Sequence, residues 1–239
     1  MIGVALFDEI GAEELWIQHG PSDKLKLIPV HQIRQNLGPS RSRGLLFFHA
    51  ITGCDTTTAF AGFSKVNSWN LWNQTVDTFN YLFERLSFFD FQDDLKDDMQ
   101  LIEQFVSALY LKLKEVCTDE INTTRKNLFL TKGLSLDKLP PTQDVLYLKA
   151  KRSVIQASIW RKSLYKSPVI PDKTLWGWKR EEDGSLSLQW STLPDIIKGC
   201  WETFIKCNCK VSNCLKNCSC RNKQLVCTTL CGCKCNDTS

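Results

Sequence analysis

Nine cysteines fall within the 29 residues from Cys207 to Cys235, where large apolar side chains are few, chiefly Leu215, Leu225, Val226 and Leu230. A segment with so little to bury cannot be held by a hydrophobic core, so cross-links of some kind must fold it. The cysteines run Cys207-x-Cys209, four residues, Cys214, three residues, Cys218-x-Cys220, six residues, Cys227, three residues, Cys231-x-Cys233-x-Cys235. Their odd number, and a start in which Met1–Leu6 gives way at once to Asp8 and Glu9 with no secretory signal, argue against a disulfide framework. Thiolates bind zinc tetrahedrally, and three ions need twelve ligand positions, which nine sulfurs supply if three of them each bridge two metals. His19, His31 and His49 all lie outside the segment, which removes a Cys/His finger.

Charge concentrates in the same place. Residues 200–239 carry Lys206, Lys210, Lys216, Arg221, Lys223 and Lys234 against Glu202 and Asp237, which accounts for the whole formal excess of +4. Three Zn2+ with nine thiolates sum to −3, and the five basic residues inside 207–235 turn that into a mildly cationic surface. Only this tail reads as a contact for a polyanion, with Lys210, Lys216, Arg221 and Lys223 the candidate nucleic-acid-binding residues.

The remainder is ordinary for a soluble globular chain, at 43% hydrophobic and 23% charged residues overall. No apolar run approaches the ~18–20 residues needed to cross a bilayer, so the expectation is an intracellular protein with no membrane partner. No small-molecule substrate is indicated. Residues 12–18 read as a weak strand ended by the turn His19–Ser22, and Leu25–Val30 as a short extended piece. A helix to Leu37, a break at Gly38-Pro39-Ser40 with Ser40 as cap, and a second helix up to Gly53 follow. One helical stripe is Leu71, Thr75, Phe79 and Leu82, and another is Leu101, Phe105, Ala108, Leu109 and Val116. Asp90, Asp93, Asp94, Asp97 and Asp98 mark a solvated linker between them, with no calcium-loop spacing.

A third helix starts after Pro140-Pro141-Thr142. It should bury Val145, Leu148, Ile155 and Ile159 and show Lys149, Lys151, Arg152, Arg161 and Lys162 to solvent, with nucleic-acid contact the lesser alternative. Leu175, Trp176 and Trp178 before Asp183-Gly184, and Leu186, Leu188 and Trp190 after it, predict a β-hairpin whose tryptophans pack on a core in preference to stacking on bases. Leu193-Pro194-Asp195 leads through a short helix into the tail. The expected fold is thus mainly α, with a short N-terminal β piece, a β-hairpin near residues 174–190, and a small irregular multi-zinc C-terminal module.

The cysteine spacing resembles the CXC domain of the tesmin/TSO1-like family, a zinc-thiolate DNA-binding module. That likeness covers only about 30 residues, and the chain has one repeat where DNA-reading members typically carry two. It implies that Cys207, Cys209, Cys214, Cys218, Cys220, Cys227, Cys231, Cys233 and Cys235 are metal ligands, that DNA is the partner, and that the location is nuclear.

A second resemblance runs through Gly44–Thr56, Leu15-Trp16, Ile28–His31, Pro140–Thr142 and Trp176–Trp178 to repetitive-element-associated animal proteins that often end in a cysteine-rich tail. More distantly, the apolar helix ending in Gly53-Cys54-Asp55 resembles the flap-endonuclease branch of the PIN-like nucleases. This makes Asp55 a possible ligand for Mg2+ or Mn2+. No Asp-x-Asp pair precedes it, and Gly62-Phe63-Ser64-Lys65 keeps one glycine and one lysine of a phosphate-binding hairpin. A turn or cap residue is therefore the preferred reading of Asp55, and His49 and Cys54 read as packing residues. The division that follows is a PIN-like remnant over 1–90, a helical region over 91–170, a Trp-rich hairpin and linker over 171–199, and the zinc module over 200–239. The expected function is a non-catalytic zinc-binding protein with DNA contact through its tail. The alternative is part of a metal-dependent nuclease whose other carboxylates lie elsewhere.

Overall fold

Apolar residues recurring every three to four positions make helices the default over most of residues 1–190, and helices dominate there. The computed structural model describes residues 1–113, 117, 120–132, 134–192, 207–209, 214, 218–223, 227 and 231–233. The chain divides into two units, Met1–Trp190 and Ser191–Ser239.

Two short helices, α1 (Ile2–Ala5) and α2 (Phe7–Ile10), precede an antiparallel hairpin of β1 (Trp16–His19) and β2 (Lys26–Pro29), in which Ile17 faces Ile28. α3 (Val30–Leu37) follows directly and ends where predicted. α4 (Pro39–Ile51) starts one residue before the expected cap. Gly38, at φ 76°, forms the junction and Pro39 takes the first helical turn, where a missing N–H costs nothing. Ser40 is therefore inside the helix, accepting from Asn80 Nδ2 at 2.8 Å and donating to the Glu84 carboxylate.

Leu71, Thr75, Phe79 and Leu82 are all buried as their spacing predicted, but on two helices. α5 (Lys65–Gln74) and α6 (Val76–Ser87) meet at Thr75, whose backbone leaves the helical region while its hydroxyl bonds the Leu71 carbonyl at 2.7 Å. α4 lies close along α6 because position 44 is glycine: a Cβ there would sit 3.2 Å from Phe83 Cβ and from Trp72 Cη2. The space is filled by an aromatic core, with Phe48–Trp72 centroids 4.9 Å apart, Trp72–Phe83 4.8 Å and Phe83–Phe105 5.0 Å, mostly edge to face. The Arg41 guanidinium covers its rim, 4.5 Å from the Trp69 ring and 5.0 Å from Trp72.

α7 (Lys96–Leu111) buries Phe105, Ala108 and Leu109 as expected, while Val116 lies outside the described residues. The acidic stretch is not simply a solvated linker. Asp97 and Asp98 open α7, and Asp98 is buried under Arg85, whose Nε and Nη2 reach its two oxygens at 2.9–3.2 Å. α8 (Ile121–Lys132), unforeseen in the sequence pattern, begins on the buried Glu103 carboxylate, which accepts the Ile121 N–H at 3.1 Å.

α9 (Gln143–Arg161) is rotated from the expected face. Leu146, Ala150, Val154 and Ala157 are its buried stripe, together with Ile155, whereas Val145 is exposed and Leu148 and Ile159 only half-buried. The reason is that the basic face is not free. Lys151 Nζ donates to the Leu175 carbonyl at 3.1 Å, and Arg152 Nη1 to those of Gly177 and Gln189 at 3.3 and 3.4 Å. These cations clasp the hairpin of β3 (Trp178–Arg180) and β4 (Leu186–Leu188), which turns at Asp183-Gly184 with Gly184 at φ 82°. Trp176 packs on Phe89 and Phe91 at 5.5 and 4.8 Å, Trp178 is half-buried, and Trp190 is 79% exposed, so core packing accounts for one of the three tryptophans fully. The short helix expected after Leu193 lies outside the described residues.

Lys149, assigned by the sequence to the solvent face, is 5% exposed, with its ammonium 4.7 Å from the Phe60 ring and donating to the Thr58 carbonyl. Burial first, then Arg152 and Lys65, push it down to about 8 against the opposing pull of Cys54. An unfolded lysine titrates near 10.4, so between about pH 8 and 10.4 the unfolded chain holds a proton the folded one has lost, and stability rises with pH. Urea unfolding of the wild type and Lys149→Met at pH 7 and pH 10 measures this. The wild type should gain up to about 3 kcal/mol relative to the variant over that interval, whereas parallel pH slopes would refute the burial cost.

Candidate metal centre

In the tail the described cysteines turn inward on one another. Cys207, Cys214, Cys218, Cys220 and Cys227 are buried and Cys209, Cys231 and Cys233 half-buried. Short backbone bonds set this packing: Asn222 N–H to the Cys218 carbonyl at 2.9 Å, in a single turn of 3-10 helix at Arg221–Lys223, and Gly232 N–H to the Cys207 carbonyl at 2.8 Å. The second bond folds the last cysteines back onto the first, and the Cys207 N–H points at Cys231 Sγ at 3.4 Å.

The sulfur separations exclude disulfides among the described cysteines and match the spacing of metal ligands. Cys207–Cys233 is 3.5 Å, Cys220–Cys231 3.6 Å, Cys218–Cys227 3.8 Å, Cys207–Cys227 3.9 Å and Cys207–Cys214 4.0 Å. A disulfide requires about 2.05 Å. A tetrahedral zinc with Zn–S near 2.3 Å has edges of about 3.8 Å, the middle of the observed range. Three quartets each bring four sulfurs within 4.8 Å of one another: Cys207, Cys218, Cys220, Cys227; Cys207, Cys209, Cys214, Cys218; and Cys207, Cys227, Cys231, Cys233. The cysteine cluster is therefore compatible with zinc binding. Cys207 belongs to all three quartets, and Cys218 and Cys227 to two each. The spacing alone could not single them out, because sharing depends on how the chain folds back at Gly232.

Proton affinities reflect the crowding. Burial and the neighbouring thiols push Cys207 up to about 12, against a backbone hydrogen bond from Cys209. Burial and the adjacent sulfurs also raise Cys227 and Cys220. Cys218, held by the backbone amides of Arg221 and Cys220, is brought down to about 6. Thiols so close cannot all ionise on their own, and a divalent cation among them is what makes a set of thiolates electrostatically tolerable. Cys235, Lys210 and Lys216 lie outside the described residues, Arg221 is exposed, and Lys223 ends the 3-10 turn.

The Gly53-Cys54-Asp55 segment has a different character. Gly53 holds φ 109° against Ala59, where a Cβ would meet backbone at 2.8 Å. Cys54 and Thr57 then exchange backbone bonds at 2.8 and 3.3 Å, which puts exposed Asp55 at the corner of a tight turn. No group of three or more potential ligand side chains includes Asp55 among the described residues. Lys65, the residue left from the phosphate-binding pattern, donates to the His49 carbonyl at 2.8 Å, to Thr52 Oγ1 at 3.0 Å and to the Gly53 carbonyl, closing the C-terminus of α4. Burial and the Lys65 charge lower His49, whose ring stands 5.4 Å from Trp160. Burial alone would raise the Cys54 thiol, but contacts at 3.4 and 3.2 Å with the Thr56 and Thr57 hydroxyls, and their amides, outweigh it and lower the thiol.

Comparison with protein-family models, curated proteins and solved structures returns no match. Among the described residues, no helix is long and apolar enough to cross a membrane.

Proposed function

We propose that residues 207–235 are a three-zinc thiolate module of the CXC type, through which the chain contacts DNA. The observation that carries the zinc part of this reading is the set of overlapping quartets with sulfur separations at the tetrahedral edge length; the DNA part rests on the sequence charge of the tail. In this reading Cys207, Cys218 and Cys227 bridge, and Cys235 supplies the ninth sulfur, relieving Cys207 of one of its three memberships. A zinc whose four positions are all thiolates has none left for water, so the metal's contribution is structural. Lys210, Lys216, Arg221 and Lys223 surround the ligands in sequence and supply the cationic surface for phosphates, and a nuclear location belongs to the same reading.

Residues 1–190 act as a non-catalytic body, derived from a mobile-element nuclease-like protein. Support for this comes from the turn bearing Asp55, which is held by the ammonium groups of Lys65 and Lys149, and in which, among the described residues, Asp55 joins no group of three or more potential metal ligands. The test is a salt series of duplex-DNA titrations on the zinc-loaded full chain and on a variant with all four basic residues changed to Gln. Four phosphate contacts give a slope of log affinity against log salt near −3.6, which the variant should flatten. Zinc-loaded chain that fails to bind DNA at low salt would reduce the module to a structural one.

A further inference from the structure

The chain has eight prolines, and Ser167-Pro168 is the one place where a serine or threonine precedes proline. Ser167 is exposed and lies in residues 165–172, which belong to no helix or strand. Pro168 has its φ fixed and biases Ser167 toward extended backbone, the conformation in which a kinase cleft reads a substrate. The side of the segment that faces the protein is not featureless. Ser167 lines a cavity of about 760 Å³ with Arg161, Lys162, Phe88, Tyr165 and Glu9. Both cations are half-buried: the Arg161 guanidinium lies 5.4 Å over the Phe88 ring, and the Lys162 ammonium donates to the Val169 carbonyl, spanning the segment that holds Ser167. Glu9 is the one acid in this lining, its neighbour Asp8 being taken up by Arg34 at 2.6 Å.

We propose that Ser167 is a phosphorylation site for a proline-directed serine/threonine kinase, and that the phosphate seats in this cavity on Arg161 and Lys162. In the transfer, Ser167 Oγ attacks the γ-phosphorus of ATP. An O–P bond forms as the bond to the bridging oxygen breaks, ADP leaves with the electron pair, and the hydroxyl proton passes to the kinase's general base. The dianion then replaces the Val169 carbonyl as partner of Lys162 and gives Arg161 a charge-assisted fork, pinning residues 162–169 to the end of α9. The negative end of the α9 dipole opposes this, as do Glu9 and Asp90, the latter lining the adjoining cleft with the same Arg161 and Lys162, and direct pairing of both cations with the dianion outweighs them.

The full chain is incubated with Mg-ATP and a proline-directed kinase, the product mapped by mass spectrometry, and the phosphoserine titrated by phosphorus NMR. One phosphate should appear at Ser167 and be lost in Ser167→Ala and Pro168→Ala. Its second ionisation should fall roughly half a unit or more below the ordinary value near 6, and return there in Arg161→Gln/Lys162→Gln or in Lys162→Gln alone. Absence of phosphate on Ser167 overturns the proposal. So does a titration at the ordinary value that neither variant alters.

Discussion

Cys207→Ala strips the C-terminal module of all its zinc, whereas Cys209→Ala removes a single ion. The difference follows from membership: Cys207 belongs to each of the three quartets and Cys209 to one. With Cys207 bridging two ions, losing it leaves two of the three metals a ligand short, and these are tied to the third through the sharing of Cys218 and Cys227. The substitution also removes the anchor for the last cysteines, which fold back through Gly232 onto the Cys207 carbonyl. Because so few apolar side chains back this segment, metal binding and folding are one equilibrium, and there is no apo fold to fall back on. Elemental analysis of the purified chains should give about three zincs for the wild type, about two for Cys209→Ala and none for Cys207→Ala. Cys207→Ala retaining two ions would show three independent sites and refute the bridged arrangement. Thiols reactive in both variants but not in the wild type, in proportion to the zinc lost, would link the metal count to the fold.

How far the sequence disclosed this molecule depended on how local the cause was. The mainly helical fold and the hairpin at Asp183-Gly184 were legible, because periodicity and turn residues act within a few positions; the N-terminal pair was legible only as a strand and an extended piece, since its pairing runs to His19 and Lys26. The stripe at Leu71, Thr75, Phe79 and Leu82 gave the right burial and the wrong helix count, since a break at Thr75 leaves the spacing nearly intact. The basic face of α9 misled for a long-range reason. Lys151 and Arg152 meet carbonyls about 24 to 37 residues away, and charge in a helix pattern ordinarily signals solvent. Metal-binding capacity could be read from cysteine density alone. Which sulfurs are shared could not, because that depends on chain reversal and not on spacing. At Asp55 the glycine before it could be read as a turn, but the lysines that hold the loop come from positions 65 and 149, beyond any local motif.

Asp98→Ala destabilises the 1–190 unit by about 3 kcal/mol, the lower end of the range for breaking a buried ion pair. The run of acidic neighbours suggests a solvated residue at Asp98, yet its side chain is 8% exposed and grips Arg85 through both oxygens. The guanidinium, at 27% side-chain exposure, sits over the Phe89 ring and bonds Asp93 at 3.1 Å as well, and Asp98 first, then Asp93, hold its proton more tightly than water does. Truncating Asp98 leaves that cation partly desolvated and removes a negative charge from the first turn of α7, where the helix dipole favours one. Arg85 keeps Asp93 and some water, which is why the loss stays at the lower end. For a unit of this size the melting temperature should drop by about 6–12 °C. The double variant Arg85→Met/Asp98→Leu separates the pair's net worth from the penalty of an orphaned charge. Replacing both partners with apolar side chains of similar volume should recover most of the loss, because two desolvation costs vanish together. If the double variant melts as low as Asp98→Ala, the pair specifies the α6–α7 geometry in a way apolar contact cannot, and the orphaned-charge account fails.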